Sequence, residues 1–266
     1  MYPTGAALSS PRVEREELQR FYDECYSAGG EEGDLYGRWR RHSAEGKADH
    51  VVALARREGG PLDRIADVGC GDGSLLDELA RRGVGTVRDG FEITDAAVAL
   101  ARERPGVSSA ATFDGARLPV ADGTYDLAIL SHVLEHVHEP GAVLAEAMRA
   151  ARCTVLEVPL EANVSARRPA KRAHGEEIGH LHAFSRAAMR EIVARAGFRV
   201  AGELVDPLPR SVHTFFATDR RARVRGTVKW AGRRALTAVP AVAERVITLH
   251  YAALVVRSPG PAPPPA

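Results

Sequence analysis

The segment Asp67-Val68-Gly69-Cys70-Gly71-Asp72-Gly73 narrows the folds open to this chain more than any other. A short apolar run, residues 64–68, leads into it. Residues 74–82 follow, with Leu75, Leu76 and Leu79 at helical spacing and Gly83 as a stop. A strand that runs into a glycine bend and then a helix opens a parallel α/β unit. The glycines let the backbone turn sharply and let a ligand approach the main chain. The helix beyond offers unbonded N–H groups.

The same rhythm continues. Residues 86–93, 110–113, 125–130, 154–158 and 198–205 read as strands. Between them lie helices at 95–102, where Thr94 is the expected cap, at 142–151, and at 185–196 behind Ser185. A final strand is expected at 246–256. This alternation implies an α/β fold with a parallel sheet and helices on both faces. Residues 1–60 read as a helical segment. A helix at 14–26 carries Leu18, Phe21, Tyr22 and Tyr26, Gly29, Gly30 and Gly33 break it, and a second helical face spans 47–57. The chain has 266 residues, 45% of them hydrophobic, and one domain is expected over 61–257. It has insertions at 160–183 and 207–244, and the Pro-rich tail 258–266 is expected to be disordered.

Cys25, Cys70 and Cys153 form an odd, sparse set that argues against a disulfide framework or zinc cluster. The net charge of +1 gives no global pull toward nucleic acid or anionic membrane. No signal peptide or membrane-length apolar run is seen, so a cytoplasmic protein with no membrane partner is expected.

The glycine loop departs from the dinucleotide pattern GxGxxG, since position 74 is Ser74 and the extra glycine is Gly73. Asp67 and Asp72 flank it, a poor setting for a pyrophosphate. They suit a cationic ligand such as the sulfonium and ammonium of S-adenosylmethionine. Glu92 comes nineteen residues after Gly73, at the end of the second strand, where a carboxylate can accept from ribose hydroxyls. Asp114 follows the third strand and is placed to take an adenine amino group. With Gly69, Cys70, Gly71, Ile93, Gly115 and Ser131, the acids Asp67, Glu92 and Asp114 make up the expected cofactor-binding set. A nicotinamide-linked enzyme and a non-catalytic cofactor-binding scaffold are the alternatives.

Asp67–Gly73 resembles motif I of the class I S-adenosylmethionine-dependent methyltransferases. Phe91-Glu92-Ile93-Thr94 is similar to the family's second-strand motif. Phe113-Asp114-Gly115, Leu118-Pro119-Val120 and Tyr125-Asp126-Leu127 resemble its adenine segment and fourth strand. Ser131-His132-Val133-Leu134-Glu135-His136-Val137 resembles the "LEHV" segment of the ubiquinone-biosynthesis O-methyltransferase group. The likeness covers about residues 60–205. It implies a Rossmann-like, seven-stranded sheet, mostly parallel with an antiparallel last strand, under an N-terminal helical lid. It also implies methyl transfer to a small molecule, on oxygen ahead of nitrogen. An arginine- and alanine-rich composition points to a bacterial secondary-metabolite acceptor.

A hydroxyl acceptor calls for a base, and histidine suits that role near neutral pH. The candidates, in order, are His180, His132 and His182. His132, Glu135 and His136, at i, i+3 and i+4, offer a second reading in which one helical face holds a divalent metal, as in some relatives of the resembled group. The metal-free reading is set above it. Arg167, Arg168, Lys171 and Arg172, and the arginine-rich stretch 219–234, read first as solvated surface and second as an entrance for an acidic or phosphorylated substrate. Tyr36, Trp39 and Arg40 are lid candidates. No nucleic-acid module is recognised, and the oligomeric state is not fixed by the sequence.

Overall fold

The structure, a computed structural model, describes residues 19, 20, 22, 23, 26, 27 and 30–258. Most of the expected 14–26 helix, Cys25, Gly29 and residues 259–266 lie outside these.

Seven strands form one sheet in the order β3-β2-β1-β4-β5-β7-β6. They are β1 (Arg64–Val68), β2 (Val87–Glu92), β3 (Ser109–Thr112), β4 (Tyr125–Ser131), β5 (Ala151–Leu160), β6 (Phe198–Asp206) and β7 (Leu249–Arg257). Neighbours pair in parallel across β3-β2-β1-β4-β5, and β7 runs antiparallel between β5 and β6. This is the mostly parallel Rossmann-like sheet with an antiparallel last strand that the resemblance implies.

Alternation along the strands makes two cores. Ala128 and Leu130 of β4 face one core, with Val68, Phe91, Leu144 and Met148. Leu127 and Ile129 face the other, with Leu54, Ile65, Leu76, Leu79 and Leu254. The helices on these faces are α1 (Gly30–Glu58), α2 (Ser74–Arg81), α3 (Asp95–Arg102), α4 (Pro140–Ala150) and α6 (Arg186–Arg195). Thr94 caps α3 by accepting from the Ala97 amide at 3.3 Å, and Ser185 caps α6 through Ala188 at 3.1 Å.

Three boundaries differ from expectation. Gly33 does not break the N-terminal segment: it lies inside α1, a helix of 29 residues that starts at Gly30. An interior glycine costs a helix only about 1 kcal/mol. Ala44, Ala48, Val51 and Ala55, all buried at 4-3-4 spacing, supply a packing face that outweighs it. Residues 240–246 form a short helix with proline at its start, so the last strand begins at Leu249, not Val246. Strand β5 extends from Ala151 to Leu160, beyond the expected 154–158.

The two long stretches fold as helices at the carboxyl end of the sheet. α5 (Pro169–Glu177) lies in the first; α7 (Arg210–Thr214), α8 (Arg220–Leu236) and α9 (Pro240–Val246) fill the second. Among the described residues no helix is long and apolar enough to cross a membrane.

Candidate active site

The glycine loop leaves β1 with Gly69, Gly71 and Gly73 at φ of +79°, +53° and +73°. This region is strained for any side chain with a Cβ. The Gly69 and Cys70 amides donate to the Phe91 carbonyl at 2.7 and 3.1 Å, tying the bend to β2. Space is as restrictive as conformation. A Cβ on Gly69 would lie 2.4 Å from Val133 Cγ2, and one on Gly71 would lie 2.5 Å from the Tyr26 hydroxyl. Cys70 contributes only main chain here. Its thiol sits 2.6 Å from where a Gly90 Cβ would stand, in the core beneath the loop. Burial pushes that thiol well above its ordinary pKa, with Asp67 and Glu92 adding to the rise.

Glu92, at the end of β2, is 8% exposed. Its Oε2 accepts the Gly71 amide at 2.9 Å, and its Oε1 accepts the Ile93 amide at 2.6 Å. Burial raises its pKa, and these amides oppose the rise. The Thr94 amide lies close enough to add to this effect, and the carboxylate, with about four acceptor positions, keeps capacity for an incoming hydroxyl.

Asp67 is buried, and among the described residues its Oδ1 has no hydrogen-bond partner. Burial lifts its pKa to about 7; Lys47 opposes this and Glu92 adds to it. An orphaned carboxylate oxygen in an otherwise satisfied loop is what a cationic ligand would complete. Asp72 does not share that role. Its carboxylate is bound by Arg40 Nε at 3.0 Å, Arg104 Nη2 at 2.7 Å and Ser74 Oγ at 2.6 Å, which corrects the expectation of two free acids.

A cavity opens on the loop. Gly69, Glu92, Ile93, Phe113 and Gly115 form one side, and His132, Val133, His136, Val137 and Val143 the other. Tyr22 and Tyr26 cover it. The expected lid residues sit elsewhere. Arg40 is spent on Asp72, Trp39 packs on Phe215 and Phe216 with ring centroids 5.1 and 5.0 Å away, and Tyr36 lines an outer groove. Asp114 is exposed, and its Oδ1 accepts the Ala116 and Arg117 amides at 2.9 and 2.8 Å. The cavity wall at that edge carries Phe113 and Gly115, the neighbours of Asp114 in the chain, and Asp114 itself shapes the turn between them. Ser131 ends β4 with its hydroxyl buried and unpartnered among the described residues.

His132 adopts φ +59°, rare for a residue with a Cβ and a store of backbone strain. Its Nδ1 lies 3.0 Å from Glu135 Oε1 and its Nε2 3.4 Å from Glu157 Oε1. Burial and Lys47 lower its pKa, but the two carboxylates outweigh them, and the ring is held toward the charged form. Glu157 is 3% exposed and forms a hub. It also meets His250 Nδ1 at 3.1 Å and His50 Nδ1 at 3.0 Å, and His50 Nε2 reaches Asp206 at 3.0 Å. Glu157, His50 and Asp206 were not singled out from the sequence. The available signal was a lone carboxylate inside the apolar run Cys-Thr-Val-Leu-Glu-Val-Pro-Leu of β5.

His136 differs. Burial lowers its pKa, with Glu135 opposing and His180 assisting. Its Nδ1 is 3.1 Å from the Gly179 carbonyl and 3.0 Å from the Tyr22 hydroxyl. A carbonyl only accepts, so Nδ1 carries the hydrogen and Nε2 keeps its lone pair. His180 lies behind it, with ring centroids 4.8 Å apart and Nδ1 bound to Glu161 at 2.7 Å. His182 donates through Nε2 to the Val137 carbonyl at 2.8 Å and stacks on Phe184. Neither His180 nor His182 belongs to the cavity wall; of the expected trio only His132 does.

The one-face metal arrangement is corrected too. Residues 134–136 form a 3-10 turn, and the histidines part company. His132 joins Glu157 and His250, whereas Glu135 and His136 join His180; each trio brings ligand atoms within 4.8 Å of one another.

The family profile described as a methyltransferase domain matches residues 36–203. The ubiquinone biosynthesis O-methyltransferase of Hahella chejuensis is 31% identical over 131 residues, 45% of this chain and 54% of that protein. The enzyme of the same name from Bordetella avium is 29% identical over 156 residues, covering 53% and 59%. The chain thus spans about half the length of the curated relatives it matches. Two solved structures share the fold. Geranyl diphosphate C-methyltransferase from Streptomyces coelicolor has a TM-score of 0.64 at 13% identity, covering 95% of this chain and 100% of that one. Magnesium protoporphyrin IX methyltransferase from Synechocystis, with bound S-adenosylhomocysteine, has a TM-score of 0.56 at 19% identity, covering 94% and 100%.

Proposed function

The chain belongs to the methyltransferase-domain family, and we propose that it moves the methyl group of S-adenosylmethionine onto an oxygen of a small-molecule acceptor. The observation that carries this reading is the Glu92 carboxylate, locked to the Gly71 amide at 2.9 Å in the wall of the cavity. S-adenosylmethionine, when bound, supplies a methyl on a sulfonium that is already a good leaving group. The protein's share of the work is then positioning and proton handling.

Glu92 would hold ribose hydroxyls. Gly69, Gly71, Ile93 and Gly115 would bring main chain close to the nucleoside, and Asp67 would meet its positive charge. Tyr22 and Tyr26 would exclude water. His132, held toward imidazolium between Glu135 and Glu157, is a poor base and a good donor for orienting an acceptor oxygen. His136 is the base this geometry favours, being kept neutral, fixed in tautomer and set in the cavity wall.

Oxygen as the acceptor atom is supported by the O-methyltransferase relatives, and a secondary metabolite as acceptor by the composition. The test is to incubate the full chain with methyl-labelled S-adenosylmethionine and a bacterial metabolite extract. Label recovered as a methyl ether, with equal release of S-adenosylhomocysteine, is the expected result. Label on nitrogen alone would move the chemistry to N-methylation, and no transfer to any fraction would refute the enzyme reading.

A further inference from the structure

Three cations converge where the two inserted stretches meet. The first stretch is laced to the start of β7. The Val164 and Ser165 amides donate to the Arg245 and Val246 carbonyls at 2.9 and 3.0 Å, and Asn163 Nδ2 reaches Thr248 Oγ1 at 3.1 Å. Lys171 Nζ lies 3.4 Å from Ser165 Oγ, which itself donates to Asn163 Oδ1 at 2.9 Å. From the second stretch, Arg233 of α8 donates to the Thr248 carbonyl. Lysine and arginine are thus pinned to two ends of one chain of hydrogen bonds, Lys171–Ser165–Asn163–Thr248–Arg233. Lys229 lies one helical turn before Arg233 on the same face of α8.

This lacing sits at the carboxyl end of the sheet, since Leu249, next to Thr248, pairs with Leu160 at the end of β5. Ligands of such sheets bind at that edge. Among the described residues, Lys171, Lys229 and Arg233 make no ion pair within 4.0 Å, although the chain is rich in paired arginines elsewhere. Among the described residues the Arg233 Nε is buried without a hydrogen-bond partner. Although its side chain is exposed, partial desolvation depresses Lys171, and the charges of Arg233, Lys229 and Arg168 depress it further, with Glu161 opposing. Glu161 is itself bound to His180, which packs on His136 of the cavity wall. His213 faces the same two cations and is lowered by burial and by them, so it adds no charge of its own. Cations kept together without counter-charges repel one another, and an arriving dianion would relieve that cost.

We propose that Lys171, Lys229 and Arg233 form a subsite for a phosphate-type dianion carried by the acceptor, so that the substrate class is a phosphorylated small molecule. This rests on the methyltransferase reading for its claim on the acceptor. The anion site itself is read without the cofactor.

The full chain is titrated with inorganic phosphate and with phenyl phosphate at constant chloride, by calorimetry. The expected result is saturable binding of both at one site. It weakens about tenfold or more in Lys171→Gln and in Lys229→Gln, as loss of a charged partner implies, while S-adenosylhomocysteine binding holds. Arg233→Gln should do the same, but it also loses the Thr248 contact, as Lys171→Gln loses the Ser165 contact, so Lys229→Gln decides. Arg220→Gln, on the opposite face of α8, should leave phosphate binding unchanged. Phosphate binding that survives both lysine variants, falls equally in Arg220→Gln, or yields to tighter binding of an oligonucleotide would overturn the subsite. Absence of S-adenosylhomocysteine binding would instead overturn the methyltransferase reading.

Discussion

Glu92 and Gly71 are 21 residues apart in sequence and 2.9 Å apart in space, carboxylate oxygen to backbone nitrogen. That bond fastens the end of β2 to the bend leaving β1, so one carboxylate both braces the glycine loop and faces the cavity.

Gly69 tests the loop's geometry. Gly69→Ala places a Cβ 2.4 Å from Val133 at φ +79°, whereas Gly123→Ala meets open space at φ +64°. The left-handed backbone alone costs roughly 1–2 kcal/mol. Thermal unfolding should show that loss for Gly123→Ala and a clearly larger one for Gly69→Ala. Equal losses would mean Val133 yields freely.

The Glu157 hub sets a pH dependence. Burial lowers the His50 pKa, but hydrogen bonds to Asp206 and Glu157 outweigh it and raise the group to about 10. A histidine raised in the fold stabilises fully below its unfolded pKa of about 6.5, and that stabilisation is lost as pH climbs through its folded value. His50→Gln leaves two carboxylates facing an uncharged group and should cost about 3 kcal/mol at pH 6. The gap to the parent should narrow steadily toward pH 10, read as urea midpoints across that range. A gap independent of pH would show that His50 is neutral in the fold.

Asp67 should couple cofactor binding to protons. With burial holding its pKa near 7, a cationic ligand must ionise it, so S-adenosylmethionine affinity should rise from pH 6 to 7.5. Calorimetry in buffers of different ionisation enthalpy should record proton release at pH 6.5. Asp67→Asn should abolish that release; release that persists in the variant would assign the proton to another group.

His136 and His132 divide the catalytic work. His136→Gln should lower kcat by about a hundredfold, the usual contribution of a positioned base, and leave S-adenosylhomocysteine binding intact. His132→Gln should act mainly on KM for the acceptor. The reverse pattern, measured with the acceptor that emerges from the labelling experiment, would exchange their roles.

The sheet was legible because its determinants are local. Alternating or continuous apolar runs, Thr94 and Ser185 as caps and glycines at forced turns each act within a few residues. Glu92 was legible for the same reason, being fixed by strand end and spacing. What escaped depends on contacts between distant segments. Asp72 looks free in sequence until Arg40 and Arg104 arrive from two other elements. His180 precedes a helix as a base candidate would, yet Glu161 draws it behind His136. The Glu157 hub joins α1, β5, β6 and β7, and no local pattern announces such a meeting. Gly33 reads as a breaker because propensity is local while the packing of α1 is not.

The proposed chemistry stands on a nucleoside gripped by Glu92 at the glycine loop. Isothermal titration of S-adenosylhomocysteine into the parent chain and into Glu92→Ala tests it most directly. Saturable binding by the parent, weakened about tenfold or more in the variant as loss of charge-assisted hydrogen bonds implies, is the result this account requires. Equal binding by both proteins, or binding by neither, would contradict it.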